Sequence, residues 1–375
     1  MSLDIPFHTC AAVLALCAWM DGALQEPAEP RSAALLSAEQ VEAPQPPAPY
    51  DHGQPLSEPD KVLYHPGGEV VAAEGGLRNG RRHGAWTFYD TGGRVTARGT
   101  LENYRRSGPW TDYYPDGQRR EQGLFVAGKR EGPWFSWFAN GSPNSAGTYV
   151  QGNREGTWYF WREEGGLAAF GGMQGGEREG TWTWFHENGR FWRQGPYTAG
   201  FEDGEWLDYY ASGQLFQRGA YVMGRPRGRW LSWHPNGQLL SEGEHEFGGQ
   251  TGLWTKWYED GSKEFEGPWH LGKEQGRWKR WWRSGALQAE GDYDSGQQQG
   301  DWVTWHANGQ KESECTYRTG LLNRRFRSWH TNGQSASQGF YVLGRREGEW
   351  AFWNEDGTTD ERASGFYKED RKVER

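Results

Sequence analysis

The segment GKREGPWFSWFANGSPNSAGTYVQGNREGTWYFW, residues 128–161, nearly repeats itself within its own length. GKREGPW at 128 returns as GNREGTW at 152, as GEREGTW at 176 and as GRREGEW at 344. Working outward, a Gly-x-Trp motif begins at Gly84, Gly108, Gly132, Gly156, Gly180, Gly204, Gly228, Gly252, Gly276, Gly300 and Gly348, a period of 24 residues. One slot fails, at 324, where Arg324 and Phe326 replace Gly and Trp while the spacing survives, so the period predicts twelve units from 84 onward. Glycines also recur nine, fifteen and twenty residues after the start, as in Gly141, Gly147 and Gly152. A fixed period of this size marks an array in which each unit packs only on its neighbours.

Composition agrees. With 56 Gly, 24 Trp, 4 Met and a mean hydropathy of −0.97, the chain has little aliphatic material for a large central core, so the aromatics must form it. The expected structural row is Trp86, Trp110, Trp134, Trp158, Trp182, Trp206, Trp230, Trp254, Trp278, Trp302 and Trp350.

Within a unit the motif runs into Asn-Gly or Asp-Gly, for example Asn140-Gly141, Asn236-Gly237 and Asp260-Gly261. These pairs tolerate positive φ, which two-residue hairpin turns require, so each unit is predicted to be a β-hairpin with its tight turn there. The second strand carries Gly-x-Tyr/Phe, as in Gly147-Thr148-Tyr149, and a link such as Gly152 to Gly156 leads into the next hairpin. Trp134 and Trp137 lie three apart, so either both sheet faces carry aromatics or a bulge intervenes. The predicted fold is all-β, an elongated single-layer antiparallel meander of hairpins over 61–375. It has a cap unit at 61–83, twelve repeats over 84–362 and a C-terminal cap at 363–375.

The string Gly-x-Tyr-x-x-Gly-x-x-x-Gly, as in Gly147, Tyr149, Gly152 and Gly156, resembles the MORN repeat, and the 24-residue period resembles its bacterial, antitoxin-like variant. The resemblance implies a MORN-like solenoid serving as a scaffold, dimerisation or membrane-associated module, with no catalytic residues of its own. The aromatic repeats of choline-binding cell-wall proteins are a second, poorer resemblance.

Ahead of the array, residues 24–60 are rich in Pro, Ala and Glu and read as a disordered linker. Residues 7–20, FHTCAAVLALCAWM, are too short an apolar run to span a bilayer comfortably. Residues 1–23 read as a signal peptide cleaved after Ala23 or as a membrane anchor, which implies export to the periplasm, cell surface or medium; a cytoplasmic chain is the alternative. Membrane association is expected through 7–20 only. Cys10 and Cys17 fall in that segment, and Cys315 stands where most units have Gly, so Cys315, Arg324 and Phe326 mark an expected weak joint.

No phosphate loop, nucleophile elbow or Cys/His cluster is present, and no enzymatic activity, cofactor or metal is expected. His186, His234, His306 and His330 share one slot, but adjacent units two strands apart stand roughly 10 Å from one another, too far for two imidazoles to share a zinc ion. That slot also holds Tyr114, Phe138, Tyr210, Tyr258 and Trp282, candidates for partner binding at a half-exposed position beside the turn. Two further rows stand out. Arg82, Arg106, Arg130, Arg154 and Arg178 are placed to meet phosphate or anionic glycan, or to pair with Glu131, Glu155 and Glu179. An ungapped aromatic row runs through Tyr89, Tyr113, Trp137, Trp161, Phe185, Tyr209, Trp233, Trp257, Trp281, Trp305, Trp329 and Trp353 and serves either as core or as a binding face. A net charge of −9 disfavours nucleic acid. The expected function is a non-enzymatic scaffold for a protein partner or a cell-envelope polymer. The alternatives are an antitoxin-like inhibitor that sequesters a toxin and an aromatic-rich glycan-binding module.

Overall fold

The computed structural model describes residues 37–50, 52 and 60–374. Over these residues the protein is one open antiparallel sheet of 29 strands in meander order, in which Phe201–Glu202 with Gly204–Tyr209, and Lys273–Glu274 with Gly276–Trp281, are consecutive pieces that pair with the same preceding strand. The only helix among them is the single turn Ala38–Gln40. The predicted all-β meander is what the chain forms. The segment expected to be a signal peptide or anchor, and most of the expected linker, lie outside the described residues.

The period follows from one steric relationship. Each motif Trp lays its indole flat over the glycine of the preceding strand: a Cβ built on Gly99 would stand 2.1 Å from Trp110, and one on Gly147 would stand 2.3 Å from Trp158. No side chain fits there, so the fifteenth position must be Gly wherever the Trp is present. The indole N–H explains why the ring is Trp. In most units it donates to a carbonyl of the preceding strand, Trp134 to Leu124 at 3.1 Å, Trp254 to Glu244 at 3.0 Å and Trp302 to Asp292 at 3.1 Å, while Trp110 donates to Asp112 Oδ1 at 3.1 Å and Trp206 and Trp230 make no such bond. Between the indoles stand the Tyr and Phe of the second strands, edge to face, as in Phe125–Trp134 at 5.1 Å and Tyr149–Trp158 at 5.1 Å. This ladder is the main core.

The motif's first glycine has a different duty. Gly132, Gly156 and Gly252 have φ of +69°, +66° and +64°, and in each case the register with the preceding strand shifts by the two residues that include the glycine. It is the left-handed residue of a bulge, and its space is open.

The tight turn is not where Asn-Gly predicted it. The two-residue turns with positive φ at both positions are Ala127-Gly128, Gln151-Gly152, Met223-Gly224, Phe247-Gly248 and their equivalents. The supposed link after Gly152 is already strand Asn153–Trp161. At the other end a longer loop closes with Phe138 N–H donating to Ser142 and Gly141 N–H donating to Phe138. Asn140 serves there through its side chain, accepting from Ser142 N–H and donating to the Glu163 carbonyl of the next unit.

Trp134 and Trp137 face opposite sides. Trp137 stacks with Phe135 on the second face, centroids 6.4 Å apart, while Trp134 joins the ladder. Both faces therefore carry aromatics, and a register shift also falls between Ser136 and Trp137.

Candidate functional site

The five arginines of the predicted row lie on the ladder face and cap its indoles. The guanidinium carbon lies 4.9 Å from the ring centroid for Arg82 on Trp86, 4.3 Å for Arg106 on Trp110 and 4.4 Å for Arg130 on Trp134. It lies 4.4 Å away for Arg154 on Trp158 and 4.6 Å for Arg178 on Trp182. Two of them also donate to the intervening ring hydroxyl, Arg130 to Tyr149 and Arg178 to Tyr197, both at 3.0 Å. The cation lies over the ring face, where the quadrupole attracts it. Glu131, Glu155 and Glu179 are engaged elsewhere, accepting the turn N–H of the next unit from Gln151, Gly175 and Ala199. That bond stitches one two-residue turn to the next.

Arg130 instead grips Glu121 with two bonds, 2.8 and 2.7 Å. Burial, then a hydrogen bond with Asp112, pushes the Glu121 carboxyl up, while Arg130 opposes the shift. Arg82, Arg106 and Asp112 line a cleft of about 540 Å³ on this face.

The slot holding Tyr114, Tyr210, Tyr258 and Trp282 forms a second ladder that sequence reading missed. Each donates to the carbonyl of the next unit's fifth-position aromatic. Tyr114 reaches Trp137 at 3.0 Å, Tyr210 reaches Trp233 at 2.9 Å, Tyr258 reaches Trp281 at 3.0 Å and Trp282 reaches Trp305 at 3.0 Å. His186, His234, His306 and His330 do the same through Nε2, each at 2.8 Å. What the slot selects is a donor of the right reach, and Phe138 lacks one. The shared donor was the available signal, hidden because Tyr, His and Trp are chemically unlike otherwise.

The second face carries the other aromatic row, and over its first units the chain covers it with its own proline-rich segment. Ala38 N–H donates to the Gly189 carbonyl at 2.9 Å, and Ala38 and Val41 pack on Leu167, Phe185 and Phe191. Further on, Arg119 donates to the Pro47 carbonyl at 3.1 Å and Gln122 Nε2 to the Ala48 carbonyl at 3.0 Å. Arg119 also lies 4.3 Å over Trp137, and His52 Nε2 stands 2.8 Å from Thr111 Oγ1. Phe185 and Trp137 are 0 % and 4 % exposed. Ten residues of polyproline II rise about 31 Å, and three units of two strands each span about 29 Å, so an extended chain keeps step with the units it crosses.

Past residue 200 the row continues through Tyr209, Trp233, Trp257, Trp281, Trp305, Trp329 and Trp353, all half-buried. Among the described residues no group of three or more His, Cys, Asp or Glu is placed to hold a metal ion. Among them, too, no helix is long and apolar enough to cross a membrane.

The MORN repeat variant model matches the chain at residues 106–127, 178–198, 202–222, 226–246 and 298–318. These five matches support a MORN-repeat protein. Each matched stretch takes in one second strand and ends at the edge of the two-residue turn that follows it, as 202–222 ends with strand Leu215–Val222. No curated protein matches. A crystal structure of TcdB2-TccC3 matches at 10% identity over 80% of this chain and 18% of that one, with a TM-score of 0.16. The Photorhabdus luminescens Tc holotoxin pore matches at 10% identity over the same shares, with a TM-score of 0.15. The chain thus spans less than a fifth of these two chains, and a likeness of this degree carries no argument.

Proposed function

We propose that this MORN-repeat chain is a non-enzymatic scaffold that presents its sheet to a protein partner. The observation that carries the reading is the aromatic row of the second face: the chain's own segment closes over the part of it where Trp137 and Phe185 are buried, and the other members, Trp233 to Trp353 among them, stand half-buried. The side chains that suggest chemistry are spent on cohesion: the histidines bond backbone carbonyls and the arginines cap indoles. Sequestration of a toxin is a narrower form of the same reading, and export through residues 1–23 is its expected setting.

Photo-crosslinking in the native host tests it. A crosslinker in place of the exposed Lys279, and others at the equivalent positions of neighbouring units, should trap one protein species at consecutive units. Failure to trap any protein around the array would contradict the scaffold.

A further inference from the structure

The local arrangement that seats the chain's own segment recurs, empty of that segment, farther along the same face. At the filled site three groups cooperate. The Arg119 guanidinium lies over Trp137 of the next unit and donates to the Pro47 carbonyl; it also donates at 3.2 Å to Gln122 Oε1. Gln122 Nε2 donates in turn to the Ala48 carbonyl. In the unit that begins at Gly252, Lys263 Nζ lies 5.6 Å over Trp281 and 2.5 Å from Glu266 Oε2. In the unit that begins at Gly300, Lys311 Nζ lies 5.5 Å over Trp329 and bonds Glu314. The three slots match residue for residue: a cation at the eleventh position, its acceptor three residues on, and the aromatic of the following unit beneath it.

We propose that these two sites hold an extended, proline-rich segment of a partner protein. This rests on the scaffold reading and names the partner's chemistry. Each lysine keeps N–H groups for a backbone carbonyl, as Arg119 does. A polyproline II chain offers such carbonyls unpaired, together with a preformed ridge that fits an aromatic floor. The sites differ from the filled one in the cation, Lys for Arg, and, with more consequence, in its acceptor. Gln122 gives an N–H to a carbonyl, whereas Glu266 and Glu314 are carboxylates that would repel one and accept only a donor. The partner must therefore place an N–H or a basic side chain where the chain's own segment has the Ala48 carbonyl, which also explains why that segment seats at Arg119. The two sites are two units apart, about 19 Å at four strand spacings, or about six residues of polyproline II. The partner's motif thus repeats its basic element at about that interval.

The test is fluorescence anisotropy on the full chain. The probe is a fluorescein-labelled peptide of alternating proline and alanine with two lysines about six residues apart, and the control has glutamates in their place. The lysine peptide is expected to bind, and the glutamate peptide is not. Trp329→Ala should weaken binding about tenfold or more, and Glu314→Lys, a surface change that leaves the core intact, should do the same. Arg119→Ala should leave binding unchanged.

Three results overturn the proposal. One is no binding of the lysine peptide, which, beside a partner crosslinked elsewhere on the array, would leave the scaffold standing. The second is binding sensitive to Arg119→Ala and not to Glu314→Lys, which would mean displacement of the chain's own segment. The third is self-association of the chain that vanishes when residues 37–50 are deleted, which would make the occupant a second copy.

Discussion

Cys315 is paired across the strands with Phe326, at the register where Gly99 faces Trp110 and Gly75 faces Trp86. The two departures from the repeat belong together. Where an indole lies flat no Cβ fits; where the ring shrinks to Phe, the space takes a thiol, and Cys315 is 8 % exposed. Phe326 still meets Tyr341 edge to face, centroids 5.4 Å apart. Phe326→Trp alone is therefore expected to destabilise the chain by about 1–3 kcal/mol through overpacking, and Cys315→Gly in the same chain to restore it. A double-mutant cycle by urea denaturation checks this, and additive effects would contradict it.

Strain at this junction resides in Arg324, whose φ is +73° in the bulge slot held elsewhere by glycine. Arg324→Gly is expected to stabilise by about 1 kcal/mol, read as slower local hydrogen exchange over residues 321–329. Unchanged exchange would show that the array absorbs the left-handed arginine at no cost.

Glycines of the two kinds should answer differently to rescue. Gly219→Ala puts a methyl 2.1 Å from the Trp230 ring, whereas Gly228→Ala meets open space and fails only because φ is +70°. Both should lower the urea midpoint, and adding Trp230→Phe should recover the first variant and not the second.

The repeat, the strand order and the ladder Trp were legible because each rests on a steric rule that acts within one period. The turn assignment was not. Asn140 is kept for its two side-chain bonds rather than for positive φ. The true turn residues, such as Ala127 and Phe247, have no local preference for it. Nor was the fate of residues 37–50 legible, since Pro47 finds its donor 72 residues away at Arg119. Proline-rich composition gives no sign of a partner so distant in sequence.

Alkaline pH should loosen the same junction. Burial pushes the Cys315 thiol up from 9.0 to about 11. Burial, then Cys315, pushes Tyr317 up from 10.0 to about 12. Between the unfolded and folded values the folded chain holds protons that the unfolded chain has released, so their stabilisation is complete below about pH 9 and is lost as pH rises toward 11 to 12. The urea midpoint should fall between about pH 8 and pH 10.5, and fall less in Cys315→Ala. An equal fall in both chains would remove the thiol from the explanation.

Tyr258→Phe removes the bond to the Trp281 carbonyl with little change in shape. It is expected to cost about 0.5–1.5 kcal/mol, confined in hydrogen exchange to the two units it joins. Protection lost evenly along the array would contradict the nearest-neighbour account.

The claim on which the rest depends is that the second face recognises an extended proline-rich chain. Hydrogen exchange on the full chain and on a chain lacking residues 37–50 tests it directly. The account predicts faster exchange along residues 108–210, where Arg119, Gln122, Phe185 and Gly189 lose their partners, and no change from strand Leu215–Val222 onward. Identical exchange in the two chains would contradict it.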